Sequence, residues 1–153
     1  MYYELLAAEL LNIKANLLQV PANQQISKLV RGERFVLNYL MTHESAVHPK
    51  ELSEKLSVST ARIASLLNHM EAKHFIVRTE DPRDSRQVIV QLTPDGADAI
   101  DEIRKEVISQ VSKMLESLGP DDAKEYVRIQ EKIYRNFLNP RAGAGTDAES
   151  GHG

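Results

Sequence analysis

Two arginines stand close together in the polar stretch Asp81-Pro82-Arg83-Asp84-Ser85-Arg86. A guanidinium group on an exposed loop suits the minor groove of DNA, whose negative potential attracts cations. Arg83 and Arg86 are therefore candidate groove-binding residues. Asp81 and Asp84 are predicted to pair with these arginines and to hold the loop in shape. The alternative is a salt-bridged turn that simply faces solvent.

A second polar group follows one side of a helix predicted from about Thr60 to Lys73. Ile63, Leu66, Leu67 and Met70 cluster on its apolar side, at roughly 100° per residue. The opposite side carries small or hydrogen-bonding residues and no acid: Ala61, Arg62, Ser65, Asn68 and His69. In the major groove Arg reads guanine, Asn can read adenine, and Ser or Thr contacts bases or phosphates. Ser59 and Thr60 precede this face, at a helix start whose free amides favour phosphate. The alternative is an ordinary amphipathic helix with a solvated face.

Other kinds of chemistry find less support in the residues. Four histidines could suggest a metal site, namely His43, His48, His69 and His74. His69 and His74 are five positions apart, whereas two ligands on one helix face need a spacing of three or four, and His43 and His48 are predicted to lie in or beside a loop. Asp81 and Asp84 would need a cleft to act as catalytic carboxylates, and a hairpin tip is open to water. The chain has no cysteine, so thiolate metal sites and disulfides are excluded. Neither a nucleophile–base pair nor a glycine-rich phosphate loop is present, and we expect no enzyme activity, no cofactor and no bound metal.

The elements that position these residues begin with helices. Apolar residues at helical spacing predict a first helix from about Tyr2 to Val20, which Pro21 ends, followed by a polar connector from Ala22 to Gln25. A second helix is predicted over 25–42, with Gly32 either an interruption or the junction of two helices. Pro49 suits the first turn of a short helix that ends near Leu56. Residues 57–59 then connect it to the polar helix, which Ser59 caps, and the pair forms a helix-turn-helix candidate.

A change of periodicity after this motif predicts a β-hairpin. Residues 75–79 and 87–92 read as strands, and residues 80–86 as the loop between them. Thr93 is predicted to cap a long helix over 94–118, and Gly119-Pro120 breaks it. Asp121 is predicted to cap a last helix that runs to about Leu138. The glycine-rich residues 139–153 are predicted to form a disordered tail.

Charge and the terminal helices bear on the partners. The net charge is −3, but residues 1–93 carry 11 Lys/Arg against 10 Asp/Glu, so the acidity lies in the C-terminal third. No apolar run is long enough for a membrane span, and no secretory signal is visible, which favours a cytoplasmic protein. The first and last helices carry wide apolar stripes. We expect Tyr2, Leu6, Leu10 and Leu17 to interlock with Tyr126, Ile133, Tyr134 and Phe137 of a second copy, although an intramolecular bundle is the alternative.

The segment from Asp81 to Gly96 resembles the wing signature of the MarR family, whose pattern is D-x-R-D-x-R followed by a strand and L-T-x-x-G. Upstream, ELSEKLSVSTARIASLLNHMEAKHFIVR is similar to the helix-turn-helix of that family. The resemblance covers about residues 30–138. It implies a homodimer whose recognition helices enter major grooves and whose wings reach the flanking minor grooves.

Carried over position by position, the resemblance supports Ser59, Thr60, Arg62, Ser65 and His69 as recognition residues, with Asp84 and Arg86 in the wing and Arg83 adjoining. Three residues depart from the family pattern. His74 stands where glycine is usual, His48 replaces a Ser/Thr-like cap before Pro49, and Ser65 replaces a longer basic residue. These departures put single contacts in doubt and leave the fold assignment intact.

The predicted protein is mainly α with a small β-hairpin wing, an α+β winged helix-turn-helix with dimerisation helices at both ends. It comprises one domain over 1–138, with dimerisation helices in 1–24 and 100–138 and a DNA-binding lobe over 30–98 that includes a wing over 76–92. We expect it to bind a pseudo-palindromic DNA operator as a sequence-specific regulator, a repressor controlled by a small-molecule effector. A metal-responsive regulator and a winged-helix protein-interaction module are the alternatives.

Overall fold

The computed structural model describes residues 1–141 and shows a mainly helical chain with one two-stranded hairpin. Its elements, in chain order, are α1 (Tyr2–Leu17), α2 (Pro21–Leu29), α3 (Gly32–Thr42), α4 (Pro49–Leu56), α5 (Thr60–Ala72), β1 (Ile76–Asp81), β2 (Asp84–Leu92), α6 (Pro94–Leu118) and α7 (Pro120–Leu138). The predicted fold class is therefore confirmed. Most of the segment predicted to be a disordered tail lies outside the described residues.

The first connection differs from the sequence prediction. Pro21 does not end a helix but occupies the first position of α2, where its fixed φ suits a helix and its missing N–H costs no hydrogen bond. The polar connector predicted over 22–25 is therefore wrong, and Ala22 is buried. Gly32 adopts a left-handed φ of 58° between α2 and α3, so it marks the junction of two helices.

The chain divides into two compact units, residues 1–111 and a second unit that begins at Ser112. The first unit contains a continuous apolar core drawn from α3, α4, α5, the hairpin and the start of α6. Its fully buried side chains include Val36, Leu52, Ile63, Met70 and Ile100. Burial of one side chain of this size stabilises the folded state by roughly 1.5–3 kcal/mol. This core holds α5 and the hairpin in place.

The helix-turn-helix forms as the sequence predicts. Ser57 ends α4 with a left-handed φ of 55°, and the Val58 amide donates to the Ser53 carbonyl over 3.0 Å. The Ser59 hydroxyl oxygen then accepts the Arg62 amide proton over 3.1 Å and so caps α5. His48 precedes α4 without a side-chain cap, as expected from its departure from the family pattern.

The hairpin is longer than predicted, and its turn is shorter. β1 and β2 pair from Ile76–Leu92 to Glu80–Val88, and Asp81 then pairs with Asp84. The predicted seven-residue loop is therefore wrong, because both strands extend into it and leave Pro82-Arg83 as the turn. The register shift leaves residues 85–87 without partners on β1, and a bulge of this kind re-aims the side chains that it carries.

Caps begin the last two helices in different ways. The Thr93 hydroxyl accepts the Gly96 amide proton over 3.0 Å, which confirms Thr93 as the cap of α6. Asp121 does not cap α7, because Gly119 holds that position and Asp121 lies within the first turn. A carboxylate there still favours the helix through the dipole. Neither α1 nor α7 has a buried residue.

Candidate nucleic-acid interface

Helix α5 presents a shallow outward surface. Ile63, Leu67 and Met70 are buried on one side, and this fixes which residues face away from the core. The centre of the exposed side carries the small side chains of Ala61, Ser65 and Ala72 together with Asn68. A helix with small central residues can approach base edges closely in a major groove.

The start of α5 combines exposure with free amides. Ser59 and Thr60 are both exposed at this end, and no acidic residue lies in the first turn. The Ser59 oxygen accepts the capping hydrogen bond, which leaves its O–H free to donate. Such a helix end favours the binding of phosphate.

One flank of α5 borders a cavity of about 780 Å³ inside the first unit. Arg62, Ser65 and His69 line it from α5, and the junction between α2 and α3, residues 30–32, supplies part of the opposite wall. The His69 ring nitrogen lies 3.5 Å from a Glu33 carboxylate oxygen, and Lys73 Nζ lies 3.1 Å from the other oxygen. Glu33 therefore joins α3 to α5 below the exposed surface.

The opposite flank of α5 is tied to the hairpin. Arg78 Nη2 donates to Asn68 Oδ1 over 2.6 Å, and Arg78 Nε donates to Glu71 Oε2 over 2.8 Å. The Arg78 side chain is only 28% exposed, so its partners shield it from solvent. Asn68 thus has a fixed intramolecular contact that the sequence did not predict.

The wing arginines are placed differently from each other. Arg86 lies in the unpaired segment of β2, its side chain is 91% exposed, and its Nε lies 3.3 Å from Asp84 Oδ1. The predicted pairing of Asp84 with an arginine is therefore confirmed. Arg83 sits in the turn and is exposed.

Asp81 does not pair with an arginine side chain, contrary to the sequence prediction. It is buried and accepts a 2.8 Å hydrogen bond from the Arg83 backbone amide, while its other oxygen lies 2.8 Å from His48 Nε2. The hydrogen bond to His48 is the main cause that lowers the pKa of the Asp81 carboxyl, and the Arg83 amide adds to it. The two aspartates of the wing therefore have separate roles, because one anchors the turn to α4 and the other orients Arg86.

Sequence reasoning missed His48 and Arg78 as supporting residues. His48 was predicted to be a poor helix cap and was weighed as a metal ligand, and its contact with the Asp81 carboxylate was not predicted. Arg78 follows the apolar residues Ile76 and Val77 and precedes the polar Thr79 in a predicted strand. Its charge was the signal in the sequence that it needs a partner. Partners ten and 33 positions away along the chain cannot be read from helical or strand periodicity.

The residues from 1 to 141 contain no cluster of three His, Asp or Glu side chains that could hold a metal ion. Within the same residues, no helix has the length and apolar character needed to cross a bilayer. The exposed face of α5 and the exposed Arg86 guanidinium group are suited to recognition at a surface.

Proteins of known structure share this arrangement of helices and hairpin. The fold is the winged helix-turn-helix fold. The computed structure superposes with a TM-score of 0.61 on MepR, a transcription regulator of the Staphylococcus aureus multidrug efflux pump MepA, at 16% identity over 85% of this chain and 97% of MepR. YusO of Bacillus subtilis gives a TM-score of 0.61 at 19% identity, over 88% of this chain and 98% of YusO.

Residues 31–87 match the sequence model of the MarR family. The HTH-type transcriptional regulator YdgJ of Bacillus subtilis is 24% identical over 74% of this chain and 69% of its own length. The multiple antibiotic resistance protein MarR of Salmonella typhimurium is 41% identical over 33% of this chain and 35% of its own length. Over residues 31–87 the chain is therefore similar to the MarR family, and its fold is that of winged helix-turn-helix proteins.

Proposed function

We propose that this protein binds a specific DNA operator through α5 and the wing, and that it acts as a repressor. The observation that carries the proposal is the placement of Arg86. Its side chain is almost fully exposed and anchored by Asp84, on a hairpin that follows the helix-turn-helix directly. A salt-bridged structural turn has no need to project its cation into solvent.

The proposed contacts divide by groove. Arg62, Ser65, Asn68 and His69 would face base edges or the neighbouring backbone in the major groove, and Ser59 and Thr60 would contact phosphate at the start of α5. Arg86 would enter the minor groove, with Asp84 holding its guanidinium group and Arg83 contacting the adjacent backbone. The roughly balanced charge of residues 1–93 suits binding by a few convergent cations.

Arg86→Ala tests the proposal directly. We expect the variant to lose about 1–3 kcal/mol of DNA affinity, with a shallower salt dependence if the contact includes phosphate. Fluorescence anisotropy with an operator selected from genomic DNA measures both quantities. Arg86→Lys keeps the charge at this position, and Lys113→Ala removes a charge from an exposed position of α6. Together the two variants separate a specific contact made by Arg86 from a general effect of protein charge on DNA affinity. Unchanged affinity in Arg86→Ala would exclude the wing role and favour a protein-interaction module.

We also propose that the protein is a homodimer formed through α1 and α7. Each helix has no buried residue, yet each carries large exposed apolar side chains. On α1 these include Leu5, Leu10 and Leu11, and on α7 Ile133, Tyr134 and Phe137. Exposed apolar surface of this extent marks an interaction site. A two-fold dimer would also explain a pseudo-palindromic operator, because it carries two recognition helices.

Control by a small molecule is the remaining part of the proposal. One structure of MepR contains bound ethidium, and it superposes on this chain with a TM-score of 0.53 at 19% identity. In this chain the cavity beside α5 is large enough for a small ligand and is lined by Arg62, Ser65 and His69. A ligand there would shift the protein away from DNA by its differential affinity. DNA binding that stays constant across a panel of cationic and aromatic compounds would contradict this control.

A further inference from the structure

The side-chain amide of Asn68 has one defined orientation. Arginine has five N–H donors and no acceptor, so the group that meets Arg78 Nη2 must be the Asn68 carbonyl oxygen. The contact is 2.6 Å long and charge-assisted, which makes it stronger than a neutral hydrogen bond. Among residues 1–141, the Asn68 Nδ2 group has no hydrogen-bond partner.

Arg78 is itself held from a second side. Its Nε donates to Glu71, which lies on α5 three positions after Asn68. Rotation of the guanidinium group away from Asn68 would therefore break an ion pair on the same helix. With a side chain only 28% exposed, Arg78 is also less free to exchange its partners for water. The orientation of the amide thus rests on two contacts rather than one.

This orientation matters because of what each base presents in the major groove. An asparagine reads adenine in a bidentate manner by donating to N7 and accepting from the N6 amino group. With its oxygen directed to Arg78, Asn68 offers its N–H donors instead. Guanine presents two acceptors, N7 and O6, whereas cytosine presents only a donor. A donor-only amide therefore favours guanine and rejects cytosine.

We propose that Arg78 is a positioning residue for DNA readout, which fixes Asn68 as a donor-only side chain that selects guanine at one operator position. The inference rests on the proposed function, since it needs α5 in the major groove. Asn68 lies near the middle of the exposed face, and its neighbours there, Ala61 and Ser65, are small enough to let it reach a base edge. The interpretation of Asn68 as an adenine reader is thereby replaced.

Selection of bound sequences from a random duplex library tests the inference, with the wild type and two variants. Asn68→Asp keeps an oxygen for Arg78 but presents a second oxygen outward. We expect the preference of this variant for guanine at one position to fall by about tenfold. It should accept cytosine there, because the N4 amino group of cytosine is a donor. Arg78→Met removes the donor that orients the amide. We expect adenine to rise at the same position, because the amide becomes free to present both of its groups.

Glu116→Gln is the control, because it removes a carboxylate from an exposed position of α6 that contacts neither Asn68 nor Arg78, and it should leave the preferred base unchanged. A wild-type preference for adenine that Arg78→Met does not alter would overturn the inference, as would an Asn68→Asp profile identical to that of the wild type. If Arg78→Met is unfolded by circular dichroism, Asn68→Asp decides alone. A wild-type protein that retains no duplex at low salt would overturn the proposed function, and this inference with it.

Discussion

At the scale of single residues, Asp81 connects the wing turn to the start of the helix-turn-helix. Its carboxylate receives the Arg83 amide on one oxygen and lies against His48 on the other. A buried carboxylate with both oxygens engaged is stabilised in its charged form. The geometry of the turn therefore depends on the charge of one side chain.

The lowered pKa of Asp81 predicts a dependence of stability on acid. In the unfolded chain the carboxyl returns to its ordinary pKa near 3.8, so the contribution is complete above that value. The contribution disappears as the pH falls through the lower pKa of the folded state. We expect Asp81→Asn to melt at a lower temperature than the wild type at neutral pH, and the difference to shrink below about pH 4. Thermal melts from pH 3 to 7 measure this, and Asp98→Asn on exposed α6 is the control.

Ser59 has two roles that substitution can separate. Ser59→Ala removes the cap of α5 and should destabilise the protein by about 0.5–2 kcal/mol in chemical denaturation. Ser59→Asp restores the cap, because a carboxylate also accepts from the helix amides. It should nevertheless bind DNA more weakly than the wild type, since it brings a negative charge towards phosphate. Wild-type affinity in Ser59→Asp would contradict a phosphate contact at this helix end.

At the scale of elements, the beginning of α6 packs against the end of the helix-turn-helix. The Phe75 carbonyl accepts the Thr93 amide over 3.0 Å, and the Thr93 hydroxyl donates to the His74 carbonyl over 2.5 Å. A Cβ atom on Gly96 would stand 2.0 Å from the Phe75 oxygen, which is closer than any real contact. The glycine of the L-T-x-x-G pattern is therefore required by close backbone approach.

Gly96→Ala should be strongly destabilising. The clash is with backbone that is already hydrogen-bonded, so relief requires α6 to move, and overpacking of this kind costs about 1–3 kcal/mol or more. Urea denaturation compares the variant with Asp98→Ala, which lies on an exposed face of the same helix. A free energy of unfolding for Gly96→Ala within about 0.5 kcal/mol of the wild type would contradict the close approach of the two segments.

The helices and the hairpin could be predicted because their signals are local. Pro49 indicated the start of α4, apolar spacing located α5 and α6, and Ser59 and Thr93 marked the correct caps. The errors came from residues that act in two ways. Pro21 ends some helices and begins others, and the polar residues around the wing turn suit either a loop or the end of a strand. Local patterns do not decide between these two structures, because packing against the surrounding core determines which of them forms.

At the scale of the whole molecule, the sequence predicted which residues of the candidate site are exposed. It did not predict the residues that hold them in place. Periodicity correctly placed Arg62, Ser65 and Asn68 on the side of α5 away from the core. The partner of Asn68 on β1 and the partner of Asp81 beside α4 depend on how separate elements pack. The exposed positions of α5 could thus be predicted, but the orientation of their side chains could not.

The proposed dimer predicts the behaviour of variants on α7. Ile133→Glu places a charge on the exposed apolar stripe of that helix, and burying an unpaired charge opposes association. We expect this variant to be monomeric at micromolar concentration by light scattering, while the wild type is dimeric. It should also lose affinity for a two-half-site operator more than for a single half-site. Lys124→Glu lies on the opposite side of α7 and should remain dimeric.

The two-residue turn at Pro82-Arg83 has a consequence for the thermodynamics of operator binding. Because the strands reach Asp81 and Asp84, the wing backbone is already ordered before it meets a groove, with the turn closed by a hydrogen bond. Ordering a flexible seven-residue loop would cost of the order of 1 kcal/mol per residue in conformational entropy. This wing avoids most of that cost, so in the proposed complex its arginine is prearranged. Lengthening the turn with glycines should therefore weaken DNA binding even though no residue proposed to contact DNA is removed.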